Sequence, residues 1–98
     1  MRYLTLGVHY PKKGETERII KEANKISEKA KTINGCIEAG VWEDEKNERV
    51  IMMSLWENST IAIEASKILR PLIAEINFSE WERLPSDNMV ELKRRGNI

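Results

Sequence analysis

Apolar residues recur with two different periods along the chain, and each period predicts one kind of element. A period of two predicts four strands, over residues 3–10, 36–43, 49–56 and 89–94. Spacings of three and four predict two helices, over residues 15–33 and from Asn58 or Ser59 to Ile76. The chain therefore reads as strand, helix, strand, strand, helix, strand.

Residues that start or stop regular structure lie between these segments. Pro11 ends the first strand, and Gly35 in the pair Asn34-Gly35 suits a left-handed turn after the first helix. The charged residues 44–47 join the second and third strands as an antiparallel hairpin. Asn58 or Ser59 is suited to cap the second helix, because its side chain can accept a backbone N–H bond.

The second helical segment contains a proline. Pro71 removes one helical hydrogen bond, which predicts a kink or two short helices that meet near Arg70. Phe78, Trp81 and Leu84 follow at intervals of three, which predicts an irregular helical turn over the core.

The order βαββαβ is typical of the ferredoxin-like α+β arrangement, a four-stranded antiparallel sheet with two helices on one face. Residues 1–98 are predicted to form a single such domain. The face without helices is predicted to carry one alternating set, namely Tyr3, Thr5, Trp42, Val50, Met52 and Trp56. This face is too apolar for water, so we expect a homodimer in which two sheets pack face to face as an α/β barrel.

Composition limits the partners and the cellular compartment that we expect for this domain. The 98 residues include 16 basic and 16 acidic side chains, a balance that argues against a nucleic-acid partner. Cys36, the single cysteine, excludes an intrachain disulfide and a structural zinc site, and favours a reducing cytoplasm. The N-terminus lacks the residue order of a secretion signal, and no apolar run reaches the length of a membrane span, so we expect no membrane association.

Two stretches resemble a known family. The segment from Ser54 to Ser59, Ser-Leu-Trp-Glu-Asn-Ser, is similar to the strand-to-helix junction of the antibiotic biosynthesis monooxygenase family, and the pair Asn34-Gly35 is similar to its entry into the second strand. The resemblance spans nearly the whole chain. It implies a dimeric α/β barrel and, in part of the family, cofactor-independent oxidation of aromatic polyketides or quinols.

Haem-degrading members of the family resemble this chain at Trp56 only. The resemblance implies a helical histidine as the iron ligand, but the corresponding residues 65–67 are Ala, Ser and Lys. It also implies an asparagine on the first strand, at or near the position of Gly7. We therefore expect neither haem nor another cofactor.

His9 and Trp56 are the candidate catalytic residues. Histidine is the residue type whose unperturbed pKa lies near neutrality, so His9, the only histidine, is suited to take a phenolic proton as a general base. It is equally compatible with an exposed or interface position. Trp56 offers a flat ring on which a planar substrate can stack, or it plugs the core at a strand end.

Four further residues are candidates for substrate binding: Trp42, Met52, Phe78 and Trp81. Each has a simpler interpretation, which is a dimer contact for Trp42, core packing for Met52, and a satellite core for the other two. No cluster of metal ligands, phosphate-binding loop or nucleophile triad is evident in the sequence, and no carboxylate is evident as an orienting partner for His9.

Two functions follow from these observations. The first is a monooxygenase that acts on a small planar phenol or quinol. The alternative is a non-catalytic dimeric barrel that binds a small hydrophobic metabolite or a partner protein, since one fold hosts both. The two differ in whether His9 and Trp56 approach one enclosed cavity.

Overall fold

The computed structural model describes residues 1–96, apart from the side chains of residues 87–89. These residues form four strands, two α-helices and one 3₁₀ helix in the predicted order. The strands are β1 (Tyr3–His9), β2 (Cys36–Asp44), β3 (Arg49–Trp56) and β4 (Asp87–Lys93). The helices are α1 (Thr16–Lys31), α2 (Ser59–Ala74) and the 3₁₀ helix Phe78–Trp81.

The four strands form one antiparallel sheet in the order β2-β3-β1-β4. Helix α1 connects β1 to β2 and α2 connects β3 to β4, so each connection passes over one intervening strand. Both helices pack on the same face of the sheet, where their buried residues meet Ala39 of β2 and Trp56 of β3. This is the predicted ferredoxin-like α+β arrangement.

Each α-helix buries one apolar stripe against the sheet. The buried apolar residues are Ile19, Ala23, Ile26 and Ala30 in α1, and Ala62, Ala65 and Leu69 in α2. Alanines make up two of the four residues in the α1 stripe and two of the three in the α2 stripe. Helix α2 begins at the predicted cap, where the Asn58 Oδ1 accepts a hydrogen bond of 2.9 Å from the Ile61 backbone N–H.

The face of the sheet without helices carries the opposite alternating set from the one predicted. Val50 and Trp56, predicted on that face, are buried among helix residues, and Tyr3, Thr5 and Met52 lie on the same side as they do. Only Trp42 of the predicted set faces away from the helices. Alternation alone did not distinguish the two faces, because both sets are apolar.

We call the side of the sheet without helices the open face. Its apolar residues are Leu4, Leu6, Val8, Trp42, Ile51, Met53, Leu55, Val90 and Leu92, of which Val8 is already buried within the single chain. Strand register places them together, since Leu4 pairs with Leu55 and Leu92, and Ile51 pairs with Trp42. The indole of Trp42 is the most exposed part of this surface, with 57% of the residue accessible.

Helix α2 runs without a break through Pro71. The predicted pair of short helices meeting near Arg70 is therefore wrong. Pro71 lies in the last turn of the helix and is exposed, so its ring and its missing N–H disturb only the end of the hydrogen-bond ladder. The predicted irregular turn is the 3₁₀ helix Phe78–Trp81, and Leu84 lies beyond it with an exposed side chain.

Gly35 makes the tight turn that brings α1 into β2. Its φ is +97°, and a Cβ placed there would lie 2.7 Å from side-chain atoms of Ile61. The Gly35 carbonyl also accepts a 3.0 Å hydrogen bond from the Glu57 backbone N–H. This turn therefore fixes the start of α2 against the start of β2. Gly14 has a similar φ of +85°, but nothing lies within 4 Å of its missing Cβ.

We predict that Gly35→Ala destabilises the protein more than Gly14→Ala does. Both changes place a side chain at positive φ, which costs about 1–2 kcal/mol. Only Gly35→Ala also forces a methyl group into Ile61, which adds about 1–3 kcal/mol. The free energy of unfolding, measured by chemical denaturation, tests the difference.

The contact itself is tested by adding Ile61→Ala to Gly35→Ala. We expect the double variant to be more stable than the sum of the two single changes predicts, because the smaller side chain relieves the overlap. Equal losses for Gly14→Ala and Gly35→Ala would contradict the role of this contact.

Candidate functional site

A cavity of about 80 Å³ lies between the sheet and both α-helices. A water molecule needs about 10–15 Å³ of such space, so the cavity holds several waters or a small organic molecule. Its wall is largely apolar and includes Ile26, Ala30, Met52, Trp56, Leu69 and Ile73. Its polar side chains are His9, Arg70 and four hydroxyl residues, Thr5, Ser27, Ser54 and Ser66.

His9 and Glu82 form a buried pair at one end of this cavity. The Nδ1 of His9 lies 3.0 Å from the Oε1 of Glu82, and only 2% of His9 is exposed. The other ring nitrogen, Nε2, is on the side of Gly7, since a methyl group placed at Gly7 would lie 4.0 Å from it. Gly7 and His9 both line the cavity. When Nδ1–H donates to Glu82, Nε2 keeps a free lone pair on the cavity side.

Among the described residues, His9 is the one hydrogen-bond partner of the Glu82 carboxylate. Its Oε2 is buried and accepts no hydrogen bond from the described residues. A buried carboxylate with an unsatisfied oxygen is costly, and native proteins keep few such groups. A buried imidazole with a buried carboxylate behind it is an arrangement that active sites use to orient a base.

Backbone pairing holds Glu82 in place. Residues 81–83 run antiparallel to residues 10–12, directly after β1, with an isolated bridge between Pro11 and Glu82. Hydrogen bonds run from the Lys12 N–H to the Trp81 carbonyl (2.8 Å) and from the Arg83 N–H to the Tyr10 carbonyl (2.9 Å). The segment after the 3₁₀ helix is thereby fixed beside the end of β1, which carries His9.

The side chain of Arg83 strengthens this attachment. Its Nη1 donates to the carbonyls of Pro11 (2.7 Å) and Glu48 (3.0 Å), and its guanidinium lies 5.9 Å from the ring centre of Tyr10. Arg83 therefore joins the β2–β3 hairpin, the end of β1 and the segment that carries Glu82. A planar guanidinium suits this task because it presents several donors in one fixed plane.

Trp56 forms part of the cavity wall and is 1% exposed. Its Nε1 donates to the Ser54 Oγ (3.1 Å) and to the Thr5 Oγ1 (3.4 Å), and these two hydroxyl oxygens are 2.6 Å apart. The polar edge of the indole is thus satisfied inside the protein, and its apolar body remains for the core and the cavity.

Of the four residues predicted to bind substrate, one lines the cavity and three do not. Met52 lines the cavity. Phe78 packs against His9 with ring centres 4.5 Å apart, and Trp81 packs edge-on against Phe78 at 6.0 Å. Phe78 and Trp81 therefore support His9 and do not line the cavity. Trp42 lies on the open face, away from His9 and Trp56.

Two side chains of the site had no clear signal in the sequence. Glu82 is 73 residues from His9, and its neighbours give no sign of a buried carboxylate. Arg70 lies at the edge of the apolar stripe of α2, where a basic residue is ordinarily solvated. Only the pairing of residues 81–83 with residues 10–12 reveals the first, and only the cavity reveals the second.

No metal-binding group was found among the described residues: no three His, Cys, Asp or Glu side chains come together as ligands. Helix α2 carries no histidine, and His9, the single histidine of the chain, lies on β1. Across residues 1–96, none of the helices is both long and apolar enough to cross a membrane.

Comparison with solved structures identifies the same architecture. The protein Rv0793 from Mycobacterium tuberculosis superposes with a TM-score of 0.81 and 9% sequence identity, over 99% of this chain and 98% of that chain. A structure described as an antibiotic biosynthesis monooxygenase gives a TM-score of 0.74 and 11% identity, over 98% of this chain and all of the other. A conserved protein from Methanosarcina mazei Go1 gives 0.75 and 15%, over 97% and 94%.

Sequence comparison adds nothing to this likeness. No protein-family model matches the chain, and no curated protein matches its sequence significantly. The likeness therefore lies in the fold of the whole domain, and it agrees with the resemblance at residues 54–59. The chain has the fold of the antibiotic biosynthesis monooxygenases.

Proposed function

We propose that this chain is a cofactor-independent monooxygenase that oxidises a small planar phenol or quinol in the cavity between the sheet and the helices. The buried pair of His9 and Glu82, with Nε2 toward an apolar cavity, is the observation that carries this proposal. His9 and Trp56 line the same cavity, which favours the enzyme over the non-catalytic alternative.

His9 acts as the general base. Glu82 accepts the Nδ1–H hydrogen bond and stabilises the imidazolium that forms when Nε2 takes the phenolic proton. The resulting phenolate is a much better electron donor than the phenol, so the substrate itself supplies the electrons that reduce O₂. One oxygen atom replaces two hydrogens of the substrate as a carbonyl, and the other leaves as water.

The cavity wall supports this chemistry in two ways. Apolar side chains admit O₂ and a flat ring, and they keep water away from the reactive phenolate. Gly7 leaves space directly beside the Nε2 of His9, where a substrate hydroxyl has to lie. Trp56 provides the flat wall against which an aromatic ring packs.

The likeness to a solved structure described as an antibiotic biosynthesis monooxygenase supports the same class of reaction. That likeness is limited to the fold, so the roles of individual residues are inferred from the site of this chain. His9, with Glu82 behind it, is proposed as the catalytic base, and Trp56 and Met52 as the substrate-contacting wall.

The proposed enzyme is a homodimer that buries the open face. Soluble monomers rarely expose a continuous apolar patch larger than a few hundred Å². Trp42, Ile51 and Leu92 belong to such a patch, which extends over all four strands. A second copy of the chain offers a surface of the same shape and character, as a two-fold interface requires.

We predict that His9→Gln lowers kcat/KM for O₂ consumption about 100-fold or more, because it removes the general base. Glu82→Gln, which keeps an acceptor near Nδ1 but removes the negative charge, lowers it at least about tenfold. The measurement is O₂ uptake by metal-free protein with a panel of quinols.

Gly7→Ala is the matched variant that leaves the pair intact. The added methyl group makes only ordinary contacts at 3.9–4.0 Å, so the fold remains while the space beside Nε2 is filled. We expect a raised KM with unchanged thermal stability. Wild-type O₂ uptake no faster than buffer, with no quinol raising the melting temperature, would rule out the proposed function.

We further predict that Ile51→Glu converts the dimer to a monomer. A carboxylate at the centre of the open face would be buried without a partner in the interface. Ile68→Glu places the same charge on an exposed position of α2 and leaves the dimer unchanged. Analytical ultracentrifugation at micromolar concentration distinguishes the two, and a monomeric wild-type protein would contradict the proposed assembly.

A further inference from the structure

Arg70 is the one charged side chain, besides the titratable His9, among the described residues that line the cavity. It lies on α2 one turn beyond Ser66, which also lines the cavity, and its side chain reaches solvent. Arg70 makes no ion pair or hydrogen bond with any described residue. Three other surface cations differ: Lys25, Lys31 and Lys67 each pair with a glutamate three residues earlier.

Ser27 provides a second unused donor in the same cavity. It lies on α1 and is 4% exposed, and its hydroxyl has no hydrogen-bond partner among the described residues. The hydroxyls of Thr5, Ser54 and Ser66 are already bonded, to one another or to the Ile63 carbonyl. The atoms that are buried without a partner among the described residues are the Oε2 of Glu15 and of Glu82, so the Ser27 hydroxyl keeps access to the space in the cavity and is free to donate there.

The electrostatics of the lining favour an anion. No carboxylate is found among the described lining residues, and the guanidinium at the edge of an apolar cavity attracts negative charge more strongly than it would in bulk water. A single arginine matches the charge of one carboxylate. A phosphate carries about −1.5 to −2 charges and is ordinarily met by more donors than this cavity contains.

We propose that the substrate of this cavity is an aromatic acid, a phenol or quinol with a carboxylate on the ring. Arg70 binds the carboxylate at the mouth of the cavity, Ser27 donates to it from α1, and the hydroxyl to be deprotonated faces the Nε2 of His9. This inference rests on the proposed function for the aromatic ring and adds the acidic substituent that orients it.

The experiment compares two probes of nearly equal shape, 2,5-dihydroxybenzoate and its neutral amide, 2,5-dihydroxybenzamide. Binding is measured by isothermal titration calorimetry without oxygen, so that neither probe is oxidised. We expect the wild-type protein to bind the benzoate about tenfold more tightly than the amide, as a charge-assisted pair with a guanidinium implies. Raising the salt concentration should weaken the binding of the benzoate and leave the binding of the amide unchanged.

Arg70→Gln should bring the two affinities within about twofold, and Ser27→Ala should reduce the preference by a smaller factor. Lys67→Gln is the matched control, because it removes a positive charge one turn away on α2 from a residue outside the cavity. It should keep the wild-type preference. Equal affinities in the wild-type protein, or an unchanged preference in Arg70→Gln, would overturn the proposal.

Oxygen uptake with the neutral amide separates this inference from the proposed function. Oxidation of the amide without any preference for the benzoate would contradict the role of Arg70 and leave the monooxygenase standing. Arg70-dependent binding of the benzoate, with no oxygen uptake on either probe, would support the anion site and contradict the oxidation.

Discussion

The contact between His9 and Glu82 is the constraint on which the site depends. A carboxylate and an imidazole are both removed from water here, and one carboxylate oxygen has no partner within the part of the chain that the structure describes. Burial of this kind costs free energy, so other contacts have to stabilise the two side chains in this position. Three contacts do so: the antiparallel pairing of residues 81–83 with residues 10–12, the hydrogen bonds of the Arg83 guanidinium, and the packing of the Phe78 ring against His9. The segment between α2 and β4 thus places the Glu82 carboxylate beside His9, at the end of β1.

The two faces of the sheet differ in character. Toward the helices, small and polar side chains alternate with large ones, so that a cavity remains beside Gly7 and His9. Away from the helices, Leu6, Ile51 and Leu55 belong to a continuous apolar surface. A chain of 98 residues has little core to spare, and a cavity reduces it further. Burial of the open face against a second copy would offset that loss, which links the proposed dimer to the proposed site.

Sequence periodicity predicted the elements well and the site poorly, for physical reasons. Strand β3 was predicted at Arg49–Trp56, and the Asn58 cap follows from its ability to accept a backbone N–H bond. The choice of face failed because Leu4 and Tyr3 are both apolar, and only the packed helices decide between them. Glu82 was not predictable because nothing local distinguishes it from the exposed glutamates, and its burial comes from a pairing across 73 residues. Local patterns therefore reveal elements, whereas the pairing of His9 with Glu82 is a property of tertiary structure.

Trp56 shows why core packing and pocket formation are not alternatives in this fold. The indole is almost fully buried, and its Nε1 is held by Ser54 and Thr5, as a structural residue requires. The same ring also lines the cavity that contains His9. A wall that is fixed by hydrogen bonds at its polar edge is already in position before a ligand enters, which is what the proposed planar substrate would require. The aromatic residue at the junction of β3 and α2 lies where the strand, the helix and the cavity meet, so the burial that stabilises the core is the same burial that would hold the proposed binding surface in place.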